Sequence, residues 1–103
     1  AIYKINSETY QIEGKLLVNE ERLHGLARQD NGIWCAHTSN KKIIKYDIDH
    51  GSIVEEIQLE KDDPYPHGMS IRNNKMWISD SNFGGKQHNN TLMGKPSFNI
   101  INL

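Results

Sequence analysis

The chain repeats itself at a step of 43 residues, and that step limits what it can fold into. His24-Gly25-Leu26-Ala27 returns as His67-Gly68-Met69-Ser70. Trp34 returns as Trp77, and Tyr3 as Tyr46. Asp30-Asn31-Gly32 falls on Asn73-Asn74-Lys75. A repeat of this length, filled with short strands, is the pattern of a β-propeller blade, a four-stranded antiparallel sheet. Helices do not compete. The best helix-like stretch, residues 19–28, is broken by Gly25 and carries few apolar positions.

Residues 19–63 read as one complete blade. Residues 24–28 form a short first strand with His24, Leu26 and Arg28 on one face and Gly25 and Ala27 on the other. Asp30-Asn31-Gly32 is a hairpin signal, because Asn and Gly tolerate positive φ. Residues 33–37 follow, with Ile33, Cys35 and His37 opposite in parity to Trp34 and Ala36. Residues 42–48 and 52–59 give the third and fourth strands, with turns at residues 38–41 and at Asp49-His50-Gly51. Residues 1–18 match the two outer strands of a preceding blade. Residues 64–103 match most of a following one, with a Gly-, Asn- and Lys-rich loop over 81–96.

The expected fold is therefore all-β, made of propeller blades. Blades bury their apolar faces on neighbours, and propellers close with about 4–8 of them. A two-blade piece leaves two faces open. At about 400 Å² of apolar area each, this forgoes roughly 10 kcal/mol per face. Three readings follow: a partial propeller from a longer chain, a propeller closed by self-assembly, or a smaller β fold. The first is the expectation, because the final outer strand of the last blade is missing. The chain begins at Ala1 with no initiator Met and no signal-peptide pattern, leaving its start open to processing or an incomplete sequence.

Charge narrows the partners. A formal net charge of −1, with basic residues scattered, gives no field for nucleic acid. No apolar run is long enough to span a bilayer. Cys35 is the sole cysteine, so no intrachain disulfide forms and the compartment stays open. The Asn89-Asn90-Thr91 acceptor pattern carries nothing without a known compartment.

The chemistry-bearing residues follow from the blade layout. His24 and His67 open successive innermost strands, at the mouth of the central channel. His37 and Asp80 end the adjacent strands one repeat apart. Because the strands are antiparallel, the four are expected to cluster on one side. Imidazoles with a carboxylate suit a divalent metal and acid–base work near neutral pH. The plainer alternatives are a histidine bonded to a backbone carbonyl and an Asx turn at Asp80. Trp34 and Trp77 read as packing between blades, and Gly25 and Gly68 as points of close approach. Cys35 reads as a buried, inert thiol, and His50 and His88 as solvated turn residues. Phe83-Gly84-Gly85-Lys86 lacks the spacing of a phosphate loop.

The string from Pro66-His67-Gly68-Met69 through Met76-Trp77-Ile78-Ser79-Asp80 resembles the blade motif of the virginiamycin B lyase-like and NHL/gluconolactonase-like propellers. Lys42-Ile43-Ile44-Lys45-Tyr46-Asp47 followed by Gly51 resembles their third strand and turn. The resemblance implies a metal-dependent lyase, or a lactonase/esterase-type hydrolase, acting on a small-molecule substrate. His67 and its equivalent His24 would be the catalytic positions. Asp80 and His37 would lie on the metal side, with Mg or Ca as the ion. The chain departs from the lyase pattern in having Asp at the acidic position of one blade and His37 in the other. The competing class is a non-catalytic propeller that binds a protein or ligand.

Overall fold

A computed structural model describes residues 1–80 and 98–103 of the chain. The loop over 81–96, His88, the Asn89 acceptor pattern and the Phe83-Gly84-Gly85-Lys86 string lie outside the described residues. Nine strands occur among them: β1 (Ile2–Ile5), β2 (Ile12–Leu16), β3 (Leu23–Gln29), β4 (Gly32–His37), β5 (Lys42–Asp47), β6 (Ile53–Gln58), β7 (Pro66–Arg72), β8 (Lys75–Asp80) and β9 (Phe98–Asn102). They form three antiparallel sheets: β1-β2, β3-β4-β5-β6 and β7-β8-β9. No helix among the described residues is long and apolar enough to cross a membrane.

The turns explain why neighbouring strands pair. Asn73 and Asn74, between β7 and β8, both take positive φ (52° and 57°). Two such residues in succession make a tight turn whose twist matches the strands it joins. Between β3 and β4 the positive φ falls on Asp30 (54°), while Gly32 already lies in the β4 ladder. Gly32 is needed for another reason. A Cβ there would meet the Lys45 stem, with Cε at 2.5 Å. At the β5–β6 turn, the Asp47 carboxylate accepts from the main-chain N–H groups of Asp49 (2.9 Å) and His50 (2.8 Å). The His50 bonds hold the Asp47 carboxyl below its ordinary range.

The core lies between the sheets, and alternation along β4 and β5 assigns each side chain to one junction. Trp34 and Ile43 of the second sheet pack with Met76 and Ile78 of the third. Cys35, Ile44 and Tyr46 point the other way, to Ile2, Leu16 and Val18 around the first sheet. Burial of each aliphatic side chain in these clusters stabilises the fold by about 1.5–3 kcal/mol. A buried bond fastens the second and third sheets, as Thr38 Oγ1 donates to the Pro66 carbonyl at 2.6 Å.

Among the described residues, only the second sheet is covered on both faces. Trp77 (44% exposed), Ile100 (50%) and Phe98 (78%) lie open on the outer face of the third. Tyr3 (49%), Ile5 (56%) and Ile12 (65%) lie open on the outer face of the first. The two tryptophans expected to pack alike therefore differ. Trp34 is fully buried, and Trp77 has no fourth sheet among the described residues to cover it.

Candidate functional site

The two His-Gly pairs sit where β3 and β7 depart from regular pairing. In β3 the register shifts between Leu23, opposite His37, and Leu26, opposite Cys35. His24 and Gly25 occupy that irregular stretch. In β7 the shift falls between Pro66, opposite Asp80, and Gly68, opposite Ser79, and His67 occupies it. Such bulges re-aim a side chain relative to its strand. Here they bring the two imidazoles together across the sheet junction, with ring centroids 4.2 Å apart and planes inclined by 33°. His24 is exposed and His67 half-buried.

Gly25 makes this approach possible. A Cβ at Gly25 would run into the His67 carbonyl oxygen, and would crowd Met69 N at 3.1 Å and the Gly68 carbonyl carbon at 3.2 Å. The main chains of β3 and β7 are thus in contact at the point where the imidazoles meet. Gly68 serves a different contact. A Cβ there would meet Ser79 Oγ at 2.6 Å, and the Gly68 N–H donates to that hydroxyl at 3.0 Å.

The electrostatics favour the neutral form of His24. Its pKa is lowered, first by desolvation, then by the neighbouring His67 and by Arg22. Two imidazoles this close oppose a shared positive charge, so the pair favours a neutral His24 near neutral pH.

His37 and Asp80 are placed differently from this pair. His37 is fully buried, with Nε2 3.2 Å from the Tyr46 hydroxyl and the rings edge-on at 6.0 Å. Burial lowers its pKa, against a smaller raising pull from the Glu21 main chain. Its Nδ1 is buried and makes no regular hydrogen bond. Asp80 is half-buried, opposite Pro66. Among the described residues, no three His, Cys, Asp or Glu side chains gather into a group able to hold a metal ion. Of the four residues singled out by sequence, the structure brings His24 and His67 together and places His37 in the interior.

Tyr46 as the partner of His37 was missed by sequence reasoning, although a signal existed. Cys35 and His37 share a parity in β4, as Ile44 and Tyr46 do in β5, and pairing the two strands puts all four on one face. Cys35 lies fully buried there, and burial pushes its thiol up to about 12.

No protein-family model matches the chain, and no curated protein matches it. Among solved structures it is similar to the computationally designed Ika4 protein, with a TM-score of 0.51 at 13% identity. The match covers 66% of this chain and 41% of that one. At such identity the likeness concerns fold alone.

Proposed function

We propose that the chain is a segment of a β-propeller whose working end is the His24–His67 pair, in a metal-assisted lyase or lactonase/esterase-type site. One observation carries this reading. Two histidines one repeat apart occupy equivalent bulges and meet at 4.2 Å on the same sheet junction. The three stacked sheets, stepping at the sequence period, support the blade reading behind it. The blade motif quoted above supplies the reaction class.

The donor set is testable against the expected ion. Two imidazoles suit a borderline ion such as Zn²⁺ or Ni²⁺. Mg²⁺ and Ca²⁺ take mainly oxygen ligands, for which Asp80 is the carboxylate that the motif offers and other ligands would come from water or further blades. His67 would hold the ion's edge of the site, which leaves the lone pair of His24 for proton transfer. A bound divalent ion supplies Lewis-acid polarisation of a substrate carbonyl. His24, kept neutral by its surroundings, is the group able to accept a proton from carbon or from water.

The test is an NMR titration of the histidine ring protons with Zn²⁺, Ni²⁺, Mg²⁺ and Ca²⁺. Shifts confined to His24 and His67, and lost in His24→Ala and His67→Ala, are expected. No response of the pair to any of the four ions would sink the metal-enzyme reading. A scaffold role is the second reading. It is favoured by the open apolar residues on the outer sheets, since exposed patches of that kind mark interaction surfaces.

A further inference from the structure

A groove of about 670 Å³ lies beside the free edge of β1. Ile2 and Leu16 of the first sheet form one wall, and Leu26, Arg28 and Ile33 of the second form the floor. Among the described residues β1 pairs only with β2. Its repeat equivalent β5, matched through Tyr3 and Tyr46, pairs with β6 on one side and with β4 on the other. The groove is therefore the place that strands of the β3–β4 type hold in the second sheet.

The chain carries the matching piece at its other end. β7 and β8 are the repeat equivalents of β3 and β4, and their outer face shows Trp77 to solvent. The junction already made inside the chain shows how such a tryptophan is covered. Trp34 packs in a cluster with Met76, with Met69 against it. One repeat earlier, those two positions are Ile33 and Leu26, which form the groove floor. β1 also offers β8 a suitable edge. Trp77 faces Ile100 of β9, and Trp34 faces Lys45 of β5, whose repeat equivalent is Ile2.

We infer that two copies of this chain associate head to tail, with β7–β8 of one copy seated in the groove of the next. Trp77 covers Leu26 and Ile33, and β1 takes the place of β9 beside β8, so β9 leaves the edge it holds in the separate chain. The contact is heterologous, so each copy keeps one open groove and one open β7–β8 face until a ring closes. This inference rests on the blade reading of the sheets and on no chemistry at the histidines. Its test uses no metal, so the two readings fail separately.

The experiment is light scattering on a size-exclusion column over a range of concentrations, with the chain as it stands and with Leu26→Glu and Trp77→Lys. A defined multiple of 11.8 kDa is expected for the parent chain. Each variant is expected to associate at least about tenfold more weakly, as for a central interface anchor. Mixing the two variants should restore a heterodimer, because the unaltered groove of the Trp77→Lys copy takes the unaltered β7–β8 face of the Leu26→Glu copy. That rescue separates a lost contact from a lost fold. A single 11.8 kDa species at every concentration would overturn the inference. So would association that neither substitution weakens, or the absence of any heterodimer in the mixture.

Discussion

Replacing Gly25 with Ala tests whether the β3–β7 contact is as tight as described. The added Cβ would collide with the His67 carbonyl oxygen, and would lie only 3.1 Å from Met69 N and 3.2 Å from the Gly68 carbonyl carbon. All three are main-chain atoms, so none can swing aside as a side chain can. Overpacking costs about 1–3 kcal/mol, and a clash with main chain belongs at the upper end. Gly14→Ala is the internal control, because a Cβ there makes only an ordinary contact with Lys4 Cβ at 3.7 Å. Ala in place of a strand Gly gains about 0.5–1 kcal/mol where it fits. Gly32→Ala should fall between the two, since the atoms in its way belong to the flexible Lys45 stem. The expected separation of Gly25→Ala from Gly14→Ala is about 3–4 kcal/mol. For a domain near this size that is roughly 12–30 °C in melting temperature. Urea unfolding followed by the fluorescence of buried Trp34 would measure it. Equal midpoints for Gly25→Ala and Gly14→Ala would refute the close approach that brings the two histidines together.

Two further outcomes follow from buried groups in the second sheet. His37 has a folded pKa below its unfolded value near 6.5, so the unfolded chain binds more protons as pH falls through that value. Its contribution to stability is thus fully present above about pH 6.5 and is lost toward acid, and His37→Gln should show a flatter urea midpoint between about pH 7.5 and 5. Identical pH slopes for the parent and His37→Gln would rule out a buried neutral imidazole. Cys35, with its thiol pushed up to about 12, should resist a thiol reagent in the native state and react fully in urea. Labelling of the native chain at the rate of a free thiol would place Cys35 at the surface instead.

Much of the strand layout was readable from sequence, because period-2 alternation and turn residues are local signals. Residues 33–37 and 42–48 come close to the observed β4 (Gly32–His37) and β5 (Lys42–Asp47). The two Asn residues at 73 and 74 also mark a true hairpin. Strict alternation failed at His24 and Gly25, where a register shift inserts an irregular stretch that no pairing rule reveals in advance. A Gly inside a strand was the available hint. The fate of His37 was harder to see. Whether an imidazole at a strand end meets solvent or a tyrosine depends on which sheet covers that face, and Tyr46 is nine residues away in the chain. Gly32 shows a similar limit. Its turn-like context suggested positive φ, whereas its role is set by the Lys45 stem lying over it.

The arrangement of the described residues as three sheets in a row, with only the middle one flanked twice among them, makes folding close to a one-dimensional chain of neighbours. Each sheet assembles from adjoining segments of sequence, so its internal pairing needs few distant encounters. The cooperativity comes instead from the two junctions, and both pass through β4 and β5. An end sheet can fray while the other junction persists, but loss of the second sheet dissolves both at once. The middle repeat is thus the keystone of the sequence, and natural variation at Trp34, Ile43, Ile44 or Tyr46 would weaken the whole row.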